Sequence, residues 1–92
     1  RDALVQLDTD PDYNQQVVQY NELAFQEERL VNQIASVQAG AANISGAARA
    51  PIERQIETLQ AELRTVRNEK RRVLGAINAI RSDYGLPARD AL

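Results

Sequence analysis

Cysteine and histidine are both missing from this 92-residue chain. Without cysteine there are no disulfides and no thiolate metal ligands. Without histidine the commonest general base and the commonest zinc ligand are gone. Tryptophan is absent too, and Phe25 with three tyrosines supplies all the aromatic surface. No apolar run reaches the ~20 residues that a membrane-crossing helix needs. Nor is there a glycine-rich phosphate loop or a convergent set of polar side chains of the kind that catalysis requires. The expectation is a non-enzymatic chain with no cofactor, no metal, no small-molecule substrate and no membrane span.

Four glycines and three prolines are few, and they fall at punctuation points. What remains is rich in Ala, Gln, Glu, Arg and Leu, the composition of long helices and coiled coils. Asp10 followed by Pro11 is a helix start. The aspartate can cap, and proline's missing N–H costs nothing at the first helical position. From there Tyr13, Val17, Tyr20, Leu23, Leu30, Ile34 and Val37 recur in steps that place them on one helical face, with Glu27 interrupting the seam. Gly40 then suggests a stop. After a small-residue stretch, Pro51 suggests a second start. Ile52, Ile56, Leu59, Leu63, Val66, Val73, Ile77 and Ile80 follow in steps of three and four, extended by Tyr84, with Lys70 the one polar intruder. This narrow two-in-seven stripe is what coiled-coil packing selects.

These signals divide the chain into an N-terminal segment or inter-unit join (1–10), a first helix (11–39), a small-residue connection (40–50), a second helix (51–84) and a C-terminal segment (85–92). Helices of those lengths would measure roughly 40 and 50 Å. Folded back on each other, they would set Val37 against Ile52, Ile34 against Ile56, Leu30 against Leu59, Leu23 against Val66, Tyr20 against Lys70 and Tyr13 against Ile77. Charge agrees with this arrangement. Residues 1–46 carry two Arg against seven acids (net −5), and residues 47–92 carry nine basic residues against six acids (net +3). An acidic helix beside a basic one is complementary. The expected fold is therefore all-α: an antiparallel two-helix coiled-coil hairpin with short terminal segments, completing its core by assembly with other copies or repeats.

Four groups of residues invite a functional reading. Asp8, Asp10 and Asp12 alternate like the opening of a calcium loop. The glycine and the bidentate glutamate of such a loop are replaced by Tyr13 and Gln19, so an acidic helix N-terminus is the better account. Arg64, Arg67, Lys70, Arg71 and Arg72 are dense, but Glu57, Glu62 and Glu69 intervene in the same helix and no aromatic lies among them. That pattern argues against a nucleic-acid surface and for pairing with Glu22, Glu27 and Glu28. Glu27 and Lys70, as seam charges, are expected to set the register of the two helices. Val18 and Phe25 point roughly 150° away from Tyr20 on a helical wheel, and Leu74 lies off the second seam. All three are candidate assembly contacts.

The chain starts with Arg1-Asp2-Ala3-Leu4 and ends with Arg89-Asp90-Ala91-Leu92. A window cut from a tandem helical array would show such a match, and so would coincidence among common helix formers. The expected role is a building block of a repetitive stalk or filament, or a component of a virion or secretion apparatus. Its partners would be protein: other copies, or neighbouring repeats or subunits. The chain would then be soluble or part of a particle or filament. The competing expectation is a stand-alone regulatory or chaperone-like protein that captures a partner helix.

Overall fold

A computed structural model describes residues 2–92; Arg1, one residue of the terminal match, lies outside the described residues. The elements are α1 (Asp2–Asp8), α2 (Pro11–Ala41), a single 3₁₀ turn (Gly46–Ala48) and α3 (Arg49–Asp83). No strand occurs among the described residues. The molecule is drawn out to 62 × 19 × 15 Å.

The segment before Asp10 contains a helix that its sequence does not announce: α1 makes two helical turns and sinks Leu7 to 1% exposure. Thr9 closes α1, its hydroxyl donating to the Gln6 carbonyl at 3.0 Å. Asp10 then caps α2, accepting from the backbone N–H groups of Asp12 (2.9 Å) and Tyr13 (3.1 Å). Two of the otherwise unsatisfied donors of the first turn are thereby paired. The Asn14 amide donates to the Asp8 carbonyl at 3.0 Å and fastens α1 to α2.

The second break falls later than glycine alone implies. Gly40 lies inside α2, which runs on to Ala41. A helical glycine costs only about 1 kcal/mol relative to alanine, and the alanines on either side are the best helix formers available. The reversal comes at residues 42–45, and Gly46 supplies the left-handed step at φ 71°. Helix α3 begins at Arg49, so Pro51 sits within its first turn, where no N–H is required. Arg49 also closes the end of α2. Its Nη1 donates to the carbonyls of Ala41 (2.9 Å) and Ile44 (3.0 Å), while its Nε reaches Glu53 at 3.0 Å. A cation held against terminal carbonyls is favoured by the helix dipole.

At the far end, Tyr84 is not a seam residue. It caps α3 and is followed by Gly85 at φ 74°. The Leu86 N–H donates to the Arg81 carbonyl and the Gly85 N–H to the Ser82 carbonyl, both at 2.9 Å. That pair of bonds is the Schellman closure, which needs a residue at ease in the left-handed region. The tail then turns back along α3. Asn78 exchanges two 2.9 Å hydrogen bonds with the backbone of Arg89, and the Arg81 Nε donates to the Pro87 carbonyl at 2.9 Å.

Helices α2 and α3 lie alongside each other in opposite directions. Near the ends of the chain Tyr20 packs with Val73 and Ile77, joined by Tyr13, Val17, Leu23 and Leu74. Toward the reversal Ile34 packs with Leu59 and Leu63, joined by Leu30, Val37 and Ile56. Val73 and Ile77 are fully enclosed. The tyrosine hydroxyl of residue 84 donates to Asp10 Oδ2 at 2.6 Å, so the start of α2 and the end of α3 are tied together.

Leu59 is 7% exposed and Thr58, beside it in sequence, faces solvent. Leu59→Ala should cost about 2–5 kcal/mol of unfolding free energy. Thr58→Ala should stay within about 0.5 kcal/mol. Urea titrations of the two variants check this; equal losses at both positions would place the seam on a different face.

Candidate interaction surface

Every residue assigned to the helix-pairing seam from sequence lies out of bulk solvent to some degree. Tyr20, Ile34, Leu59, Leu63, Val73 and Ile77 are buried. Tyr13, Val17, Leu23, Leu30, Val37, Ile52, Ile56, Val66 and Ile80 are half-buried. A two-helix contact leaves each seam side chain open on at least one side, and this accounts for the large half-buried share.

Between the two apolar clusters sits a charged one. Glu27 accepts from Lys70 Nζ through one carboxylate oxygen and from Arg67 Nε through the other, both at 2.8 Å. Lys70 also lies over the Tyr20 ring, 5.3 Å from its centre, a cation–π contact. The Lys70 ammonium and the Arg67 guanidinium hold the Glu27 carboxyl below its ordinary value, against a smaller opposing effect of burial. Glu27 in turn holds Lys70 above its ordinary value. The Tyr84 hydroxyl and two backbone N–H groups lower Asp10 in the same way, and Asp10 raises Tyr84. Asp10 thus serves as a helix cap and latch. Among the described residues no cluster of three or more acids suited to a metal ion occurs.

The assembly candidates separate. Val18 and Phe25 stand 58% and 64% exposed on the outer face of α2. Leu74, grouped with them from sequence, packs instead against Tyr20, Val73 and Ile77. The reason is the returning tail. Asp90 and Ala91 line the same hollow as Tyr20, Lys70 and Leu74, giving Leu74 a second wall that helical periodicity alone does not reveal. Further apolar side chains left in water are Leu4 (49%), Val5 (62%), Val31 (41%) and Leu92 (37%).

Two shallow grooves run along the α2–α3 contact. One is floored by Leu30, Ala61 and Val66 and rimmed by Gln26, Arg29 and Glu62. The other is floored by Val31, Ile34, Ala35 and Leu63 and rimmed by Gln38, Arg64 and Arg67. Neither encloses a small molecule. Two features here had no clear sequence signal: the burial of Arg81, at 9% exposure, and the Asp10–Tyr84 latch. Each depends on a partner 6 or 74 positions away in the chain. No helix of the described residues is long and apolar enough to cross a membrane. The chain matches no known protein family, no curated protein and no solved structure.

The lowered Glu27 and raised Lys70 define how the central cluster responds to pH. A carboxylate lowered on folding adds stability that is complete above the ordinary carboxylate range and is lost as pH falls through the lowered value. A raised lysine adds stability that is complete below its ordinary value and is lost as pH climbs through the raised one. The contribution is therefore flat from about pH 6 to 9. A double-mutant cycle of Glu27→Gln and Lys70→Met should give a coupling of about 0.5–1 kcal/mol at neutral pH. That coupling should be lost as acidification carries the pH down through the lowered Glu27 value. Denaturant titrations at neutral and acid pH check it, and a coupling unchanged in acid would show that the pair does not act as an ion pair.

Proposed function

We propose that this chain is a non-enzymatic assembly module: an antiparallel helical hairpin, packed in the coiled-coil manner, that completes its core against other copies or neighbouring repeats. It would serve as a building block of a repetitive stalk or filament, or as a component of a virion or secretion apparatus. Glu27 and Lys70 would set the register between its helices. One observation carries the reading. Over a length of 62 Å only eight apolar side chains among the described residues are buried, while Phe25, Val18, Val31, Leu4, Val5 and Leu92 are left exposed. Ordering each residue costs roughly 1–2 kcal/mol of backbone entropy, and so thin a core offsets that with little surplus. Further burial on neighbours is the usual remedy for an elongated helical unit.

The open grooves beside the α2–α3 contact favour a second reading, a stand-alone binder that captures one helix of a different protein. Sedimentation over a wide concentration range separates the two. The assembly reading expects mass to rise with concentration and thermal stability to rise with it, because association stabilises the folded form by mass action. A compact monomer at every concentration with an unchanging melting temperature would overturn it.

A further inference from the structure

The outer face of α2 carries a stripe that is complementary to itself. It is formed by Val18, Glu22, Phe25 and Arg29, and Val18, Glu22, Phe25 and Arg29 all border one shallow surface hollow. All four are exposed. They lie on the side of α2 opposite Tyr20 and Ile34, so α3 cannot cover them. Among the described residues neither Glu22 nor Arg29 belongs to a salt bridge, although Glu27 on the inner face holds two.

We infer that this stripe is the contact between two copies of the chain, with α2 of one lying antiparallel on α2 of the other about a two-fold axis between Phe25 and Gln26. The inference rests on the assembly reading and names its partner and face. Glu22 lies three residues before Phe25, and Arg29 lies three after Gln26. In the antiparallel pairing Glu22 of each copy therefore faces Arg29 of the other, and the two-fold repeats the ion pair on both sides of the axis. The two Phe25 rings meet at the centre, where burial is deepest. Val18 extends the apolar strip beyond the ion pairs. In heptad terms Glu22 and Arg29 occupy the same flanking position one repeat apart, and antiparallel helices bring such positions face to face. A parallel pairing would instead set Glu22 beside Glu22 and Arg29 beside Arg29, like charge on like. The charge pattern thus selects both the occupant and its direction. With α2 spanning 31 residues, about 46 Å, the helix is long enough for the contact to run beyond the central four residues.

Charge reversal tests this on the intact chain by sedimentation equilibrium, with helix content of each variant monitored by circular dichroism. Glu22→Arg and Arg29→Glu should each weaken self-association by about tenfold or more, since each turns two attractive pairs into repulsive ones. The two single variants mixed in equal amounts should associate again, to within about threefold of the unaltered chain, because one then presents two arginines and the other two glutamates. Phe25→Ala, which favours helix, should weaken association by at least about tenfold without loss of helix content. Suppose the unaltered chain associates while the single reversals stay within about twofold, or the mixture is no tighter than its components. Then the α2 pairing is overturned and the assembly reading stands on another face. If the unaltered chain remains monomeric throughout, both are overturned.

Discussion

The thinness of the molecule governs everything else in it. Two helices laid side by side give a body only 15–19 Å across, so a side chain is enclosed only where it points straight at the opposite helix. Among the described residues six buried apolar side chains, in the two clusters between α2 and α3, meet that condition. Each therefore carries a larger share of the stability than a core residue in a rounded domain, where surface grows more slowly than volume. The ends and the reversal, where Leu7 and Ala41 supply some packing, are held by hydrogen bonds as well. Asp10, Arg49, Tyr84 and Asn78 do this, each with side-chain bonds that close a helix terminus or fasten a neighbouring segment.

Charge is distributed in keeping with the same constraint. Glu27 breaks an otherwise apolar seam at the point where Lys70 and Arg67 can reach it from α3, leaving an apolar cluster on either side. A slip that carried Glu27 away from Lys70 and Arg67 would cost both of these ion pairs. The apolar clusters alone are more forgiving of such a slip, since Ile, Leu and Val can replace one another with modest loss.

The helical content was legible in the sequence, because a repeat of three and four is a direct projection of helix geometry. The Asp10–Pro11 start was equally plain, since a capping carboxylate and a proline act within a single turn. The end of α2 falls one residue beyond Gly40, because the flanking alanines carry the helix on to Ala41. Leu74 could not be placed, because its environment is made by a tail that reaches it only after the turn at Gly85. Helix α1 is short, and a two-turn helix shows too little periodicity to declare itself before Leu7 has something to rest on. The outer stripe of Val18 and Phe25 was visible as a departure from the seam. The placement of Glu22 and Arg29 beside it is set apart from the seam only because α3 covers the opposite side of α2.

The bond between Tyr84 and Asp10 brings the beginning of α2 and the end of α3 to the same pole of the rod. The reversal at residues 42–48 is then the far pole. A pull applied between the two ends of the chain would first peel the returning tail from α3. It would next break the tyrosine–aspartate contact and open the seam one rung at a time, beginning at Ile77 and Val73 and ending at Ile56. Loaded in this order, the contacts resist singly and never together. The unit would extend under a small, nearly constant force, more like a fastener drawn open than a rod pulled until it snaps.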